Sequence, residues 1–539
     1  MRRLLASLAL ACLAVVAAVA ASAAAAAVDP ETLRQLAFGE SDDKLKAIGA
    51  LAATGDPAVL ALLQALLDGN VQTVGGSQVL LVKDDAATDL ATGRTVTPVP
   101  ENRDDVVVNN RVRKGLETAI AALKVSDPDR AVRLAAAKQL QDGADESTLP
   151  AIERALAKET DAEVKDLLTL TRASIQLASR DKATRIAAIR ALAESGNPAT
   201  KTLLLGILER RGDSFAEPDA DVRAEADKSL RAVDRRLATG EMIGRIFSGV
   251  SLGSILLLAA LGLAITYGLM GVINMAHGEL IMIGAYATYV VQNLFRRYAP
   301  GAFDAYLVFA VPAAFAASAV VGMILERSVI RFLYGRPLET LLATWGISLV
   351  LIQSVRTVFG AQNVQVENPS WMSGGFAAFA DVVLPWNRVV IIGFAAIVLV
   401  AIWLLLTRTR LGLFVRAVTQ NRAMASCNGV PTGRVDTLAF GLGSGIAGLA
   451  GCALSQIGNV GPDLGQSYIV DSFMVVVLGG VGQLAGTVYA AVGLGIVNKF
   501  LEGVSGAVLA KIAVLVFIIF FIQKRPQGLF ALKGRTVEA

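Results

Sequence analysis

From residue 247 onward the sequence is a succession of apolar runs. Each is close to the ~20 residues an α-helix needs to cross ~30 Å of hydrocarbon. In hydrocarbon every backbone N–H and C=O must find its partner inside the protein, so these runs must be helices packed into a bundle. Runs are placed near 248–271, 274–294, 303–325, 339–359, 388–407 and 435–458. Shorter ones follow near 468–484, 486–500 and 506–523, giving eight or nine membrane segments over 245–525. Charge separates this half from what precedes it. The first 240 residues hold 31 Lys and Arg against 34 Asp and Glu, the remaining 299 only 19 against 12. The second half is too poor in charge for a soluble domain, which excludes a soluble enzyme and a disordered scaffold. Its basic excess sits in the loops between apolar runs. That is an orientation signal and not a nucleic-acid-binding surface, so no nucleic-acid partner is expected and membrane lipid is.

The first 27 residues have a basic start at Arg2 and Arg3, a short apolar stretch and the small residues 21–23, the pattern of a cleaved secretory signal that carries Cys12 away, with a retained signal anchor as the alternative. Residues 28–240 are then exported. This region repeats itself: AIGALAATGDPA at 47–58 returns as AIRALAESGNPA at 188–199. Apolar residues recur at helical spacing, and Gly-Asp/Asn-Pro ends one helix and starts the next. Related runs occur at 131–156 and 221–237. Paired helices repeated in this way resemble HEAT-type repeats and predict a helical solenoid, so the fold class expected is all-α. One interruption, 70–110, is rich in Val, Thr, Asp and Asn. It is a candidate β insert, with 78–82 pairing with 94–99 around a turn at 84–93.

Basic residues orient the bundle. Arg327, Arg331 and Arg336 mark one cytoplasmic loop, Arg408 to Arg434 a second, and Lys524, Arg525, Lys533 and Arg535 the tail 526–539. With the first domain exported, nine crossings satisfy all three. That count requires a break in the glycine-rich stretch 479–486, as a tight turn or a re-entrant hairpin.

Three stretches carry candidate chemistry. At 267–286, Asn274, His277 and Glu279 lie beside a very short gap between the first two runs. Polar groups here must face a bundle interior or a watery boundary. They are read either as lining a translocation path or as a buried network in which His277 caps a helix; a His–Glu proton relay is a weaker third possibility. At 440–452, Gly441, Gly445, Gly448 and Gly451 place small residues along one helix side, as close helix packing requires. At 408–436 an amphipathic helix with Leu411, Phe414, Val415 and Val418 on one side is a docking knob for a cytoplasmic partner, or else a surface connector. One histidine and three scattered cysteines make no metal site, and P-loop, nucleophile-elbow and zincin motifs are absent. No cofactor, no metal and no enzymatic activity are expected.

The stretches INMAHGELIMIGAY (273–286), RAVTQNRAMASCNGV (416–430) and GQSYIVDSFMVVVLGGVGQLAGT (465–487) resemble the permease subunits of branched-chain amino acid-type ABC importers. TQNRAMA and GQSYIVDSFMVVVLGGVG are similar to the urea-transporting branch, as is the exported extension. The resemblance implies a bacterial inner-membrane protein with a periplasmic first domain and a cytoplasmic C-terminus. The partners it implies are a second permease, two cytoplasmic ATP-binding subunits and a periplasmic substrate-binding protein. It also implies coupling to the ATPases through Arg416, Gln420, Asn421, Asn428 and Gly429. For urea, a path through Asn274, His277, Glu279, Gln456, Asn459 and Asp471 is expected, with Gln466 and Ser467 nearby; the few membrane charges, Glu279 and Asp471, favour a neutral solute. The alternatives are a branched-chain amino acid or short amide as solute, a self-sufficient channel or proton-coupled carrier using His277 and Glu279, and a membrane-anchored scaffold.

Overall fold

The computed structural model describes residues 29–530 except 77, 84–85, 101, 195–196, 213, 272–273 and 380–381. The expected signal segment with Cys12, and residues 531–539 of the tail, lie outside the described residues. The chain divides into two compact units, Met1–Ala238 and Thr239–Ala539. It is mostly helical but not all-α, since the first unit carries a five-stranded sheet.

In the first unit, helices α1 (Pro30–Phe38), α2 (Ser41–Thr54) and α3 (Pro57–Leu67) precede the sheet. Helices α4 (Asn110–Lys124), α5 (Arg130–Leu140), α6 (Leu149–Lys158), α7 (Ala162–Gln176), α8 (Lys182–Glu194) and α9 (Ala199–Leu208) follow it. The two copies of the repeated motif have one local cause. Asp56 accepts from Ala58 N at 2.9 Å and Asn197 accepts from Ala199 N at 2.9 Å, so the Asp/Asn of each copy satisfies a free N–H at a helix start. Apolar faces form three successive clusters along the chain, around Leu63 and Leu116, around Leu140, Ile152 and Leu168, and around Ile189, Leu192 and Leu204. Arginines four residues after an Asp recur: Arg133, Arg185 and Arg223 each donate to two carbonyls five and six residues back. Arg133 also pairs with Glu159 at 2.8 Å, and Arg185 with Glu217 at 3.0 Å.

The sheet has the order β4–β3–β2–β1–β5, built from Val71–Val74 (β1), Gln78–Lys83 (β2), Ala86–Asp89 (β3), Thr95–Val96 (β4) and Asp104–Asp105 (β5). The expected pairing of 78–82 with 94–99 is therefore wrong. Strand β3 intervenes, with Leu80 opposite Asp89 and Thr88 opposite Thr95. Its sequence AATD lacks the β-branched apolar alternation that marks a strand, but Ala87 and the following Leu90 are buried, and that burial is what recruits it. A two-stranded ribbon, Arg210–Arg211 (β6) with Ser214–Phe215 (β7), follows α9.

Helix α10 (Ala220–Met270) runs 51 residues, so the amphipathic run at 221–237 and the first apolar run are one helix. The second unit continues with α11 (His277–Tyr298), α12 (Tyr306–Ser328), α13 (Pro337–Phe359), α14 (Trp386–Arg408), α15 (Arg410–Gln420), α16 (Arg422–Cys427), α17 (Thr432–Ser455), α18 (Leu464–Gly479), α19 (Leu484–Ser505) and α20 (Ala507–Lys524). A hairpin, Gly375–Phe379 (β8) with Val382–Pro385 (β9), precedes α14. Each of the nine apolar runs placed over 245–525 corresponds to a helix, and among the described residues seven helices are long and apolar enough to cross a membrane. The two that fall short are α11, diluted by polar residues, and α18, whose 16 residues rise only about 24 Å. The glycine-rich stretch makes a short turn at 480–483 between α18 and α19. Gly480 (φ +99°) and Gly482 (φ +79°) occupy backbone that side chains disfavour. Helix α17 is buried along most of its length. Helices α13, α14 and α20 leave most of their apolar surface outside the unit.

Candidate functional site

The gap between α10 and α11 positions the first polar group. Asn274 accepts from Ala276 N at 3.0 Å, which starts α11 at His277. His277 is fully buried, with Nε2 3.0 Å from the Ala259 carbonyl of α10. Glu279 turns instead toward α13, where Ser348 Oγ donates to its Oε1 at 2.8 Å. One turn earlier on α13, Thr344 accepts from Met275 N at 3.1 Å. His277 and Glu279 thus engage different helices. Asn274 Nδ2, His277 Nδ1, Glu279 Oε2 and Tyr286 Oη are buried and have no protein partner among the described residues. Such atoms are rare in stable proteins, so their concentration on one helix and its entry turn marks a polar seam. Glu279 and Tyr286 are seven residues apart, on one helix face. The Tyr286 ring sits 4.6 Å from that of Phe359 at the far end of α13.

The remaining expected path residues lie elsewhere. Gln456 follows α17, where its Oε1 is 3.1 Å from Tyr306 Oη and its carbonyl accepts from Asn387 Nδ2 at 3.2 Å. Asn459 is exposed. Asp471 on α18 pairs with Lys511 of α20 at 3.1 Å. Asn459 and Asp471 line one cavity of about 450 Å³, together with Ser467, Arg388 and Asn498. None of the three residues at the α10–α11 gap lines it.

The glycines of α17 meet two different helices. A Cβ at Gly441 would fall 2.7 Å from Met323 Cγ and one at Gly445 2.5 Å from Phe315, while Gly448 lies against Ala314 O; all three are in α12. Gly451 lies against Ile281 O of α11. A Cβ at any of them would collide with its neighbour, with backbone at Gly448 and Gly451 and with a side chain at Gly441 and Gly445.

Helices α15 and α16 pack on α17 through Val418, Ala425, Val435 and Ala439. Arg416, Gln420, Asn421, Asn428 and Gly429 are all exposed. Three of the five also shape the segment. Asn421 accepts from Met424 N at 2.9 Å to start α16. Asn428 follows its last turn and Gly429 (φ +80°) reverses the chain. Leu413 and Met424, 57% and 60% exposed, project from the same two helices. Beneath them is a buried network not foreseen in the sequence. Arg422 forms an ion pair with the fully buried Asp436 and stacks over Tyr334. Tyr334 Oη donates to Glu326 at 3.1 Å, and Thr437 Oγ1 donates to the other Glu326 oxygen at 2.6 Å while accepting from Arg327 Nε at 3.1 Å. Tyr334 lies in the loop after α12, and burial first, then Asp436 and Glu326, push its phenol above the ordinary range. The network ties the 327–336 loop, α12, α16 and α17. Its partners are up to 111 residues apart, so spacing could not reveal it. Among the described residues no group of three or more His, Cys, Asp or Glu could hold a metal ion.

Comparison with known proteins places this unit. A Pseudomonas aeruginosa high-affinity branched-chain amino acid transport system permease protein, BraD, is 26% identical over 291 residues, covering 53% of this chain and 94% of its own. The Escherichia coli (strain K12) counterpart, LivH, is 28% identical over 295 residues with the same coverages. The E. coli (strain K12) ribose import permease protein RbsC is 29% identical over 229 residues, covering 38% of this chain and 68% of its own. No solved structure is significantly similar. The model of the family described as branched-chain amino acid transport system / permease component matches residues 245–523, just over half of the chain. The chain belongs to that family of membrane permeases.

Proposed function

We propose that residues 245–525 are the permease subunit of an ATP-driven importer whose solute is urea. The subunit works beside a second permease, with two cytoplasmic ATP-binding subunits and a periplasmic binding protein. The observation that carries the importer reading is the family match over 245–523. Leu413 and Met424 support it, because apolar side chains held out from helices that pack on the most buried helix of the unit suit docking to an ATPase. Arg416, Gln420, Asn421, Asn428 and Gly429 are the coupling positions. The polar seam of Asn274, His277 and Glu279 belongs to the path at depth, and Gln456, Asn459 and Asp471 to its outer end. The urea assignment rests on the TQNRAMA and GQSYIVDSFMVVVLGGVG stretches and on the long first domain.

The orientation follows the basic loops, with the first unit outside and the C-terminus inside a bacterial inner membrane. The first unit is a HEAT-like repeat array. Its support is the recurrent Arg-to-carbonyl bonds of Arg133, Arg185 and Arg223 and the series of small cores, each shared by neighbouring helices. A second solute reading, branched-chain amino acids, is favoured by the names of the relatives and by the Asp471–Lys511 pair, which suits a zwitterion.

The test is uptake of labelled urea and of labelled leucine by cells with and without this chain, ATP intact or depleted. ATP-dependent urea uptake that vanishes with the chain is expected. Loss of leucine uptake instead moves the solute to an amino acid. Uptake indifferent to ATP sinks the importer and leaves a channel or proton-coupled carrier.

A further inference from the structure

The cavity at Asp471 lies wholly within the second unit, between α10, α14 and α17 to α20. Its wall carries five charges. Two pairs close on themselves, Asp471 with Lys511 at 3.1 Å and Lys499 with Glu502 at 2.6 Å. One cation is left. The Arg388 guanidinium, half-buried in the wall, makes no hydrogen bond or ion pair to protein among the described residues, and neither does the half-buried amide of Asn498. A guanidinium offers five N–H donors, and a half-buried one without an acceptor is costly unless something else supplies it. Leu252, Ile255 and Leu454 add apolar surface to the wall, and Ser248, Ser251 and Ser467 add hydroxyls. Behind the Asp471–Lys511 pair is a space of about 10 Å³ lined by Asn498, Leu256, Met474 and Val514, so the pair stands between the polar cavity and the apolar interior.

We propose that this cavity is a reception site for the transported solute, a small molecule with N–H donors at one end and a carbonyl or carboxylate oxygen at the other. Arg388 takes the oxygen. Asp471 takes the N–H groups in place of Lys511, and that exchange frees the Lys511 ammonium from the pair. Urea and an α-amino acid share this chemistry. The inference rests on the importer reading and adds where the solute is first held.

The test is protection of an introduced thiol in the assembled transporter in membrane vesicles, with Cys427→Ser and Cys452→Ala as background. Asn498→Cys reports the cavity floor and Ser467→Cys its exposed rim. Each is labelled by a small charged methanethiosulfonate, with and without urea or leucine. The transported solute is expected to slow labelling about threefold at twice its dissociation constant, following the ratio 1 + [L]/Kd. Adding Arg388→Gln should remove that slowing. Urea protection alone makes the site amide-selective; leucine protection alone makes it a zwitterion site. Equal rates with and without both solutes overturn the proposal, as does labelling at Ser467→Cys with none at Asn498→Cys, since the cavity is then closed to water. Uptake that ignores ATP sinks the importer reading, whereas protection still reports on the cavity.

Discussion

The ion pair beneath α16 allows a quantitative test. Asp436 is fully buried, and its only cationic partner among the described residues is Arg422, whose side chain is 44% exposed. Removing one member of a fully buried pair costs about 3–5 kcal/mol, because the other charge is left without compensation. An exposed pair is worth about 0–1 kcal/mol. With one partner buried and one nearly half solvated, Arg422→Ala should cost roughly 2 kcal/mol, a factor of about 30 in the folded population. Asp436→Asn removes the buried charge itself, so Arg422→Ala should cost much less in that background. A double-mutant cycle, read as unfolding of the purified chain in mixed micelles, should therefore show a coupling energy of about 2 kcal/mol. On the proposed importer reading, Arg422→Ala should also lower solute moved per ATP hydrolysed, because Arg422 is where α16 joins the Asp436, Thr437 and Glu326 network. A coupling energy below about 0.5 kcal/mol, the scale at which separate sites already add, would refute the claim that Arg422 compensates a buried charge.

Two further outcomes follow from the packing and the charges. Gly448→Val places a side chain against Ala314 O and Ser318 and should lower stability by about 1–3 kcal/mol, seen as a lower melting temperature. Gly393→Ala, with open space around it, should leave stability unchanged or raise it by up to about 1 kcal/mol. In the first unit, hydrogen bonds from Arg133 hold Glu159 below the usual carboxylate range, and those from Arg130 hold Asp161 below it. Their folded pKa values lie under the unfolded ones of about 4.3 and 3.9. The stability they add is thus complete above that range and lost as pH falls through the folded values. The hydrogen-exchange protection factors of residues 149–176 in the full chain, taken against the intrinsic rate at each pH, should fall below about pH 4, and less steeply in Glu159→Gln, whose neutral amide has no proton to gain.

Much of the helical layout could be read from the sequence because two signals are local. An apolar run long enough to span hydrocarbon becomes a helix wherever it sits, and Gly480 and Gly482, in backbone that side chains disfavour, mark where one ends. The short strand at 86–89 could not be read this way. Its residues have no strand pattern, and it forms because Ala87 and Leu90 are buried by neighbours. The charged cavity escaped for a related reason. Arg388 and Lys511 each lie near the start of an apolar helix, where a basic residue looks like a boundary marker, and only the fold brings Lys511 to Asp471, 40 residues earlier. The α10–α11 gap was legible as polar residues in an apolar setting, but not that His277 and Glu279 point to different helices.

That divergence bears on how a path could open. Helix α17 packs on α12 with Gly441 against Met323, Gly445 against the Phe315 ring and Gly448 against the Ala314 carbonyl, and separating them would forfeit dispersion contacts along about two turns. Helix α13 meets α11 through few groups, chiefly Ser348 with Glu279, Thr344 with Met275 N and the Phe359 ring with Tyr286, and most of its apolar surface lies outside the unit. The buried atoms without protein partners, Glu279 Oε2 and Tyr286 Oη, lie on the α11 face toward that seam. Polar atoms already lacking partners lose little when a seam widens and gain hydrogen bonds if water or a polar solute enters. By these contacts, parting the α11–α13 seam would cost less than parting the α12–α17 seam.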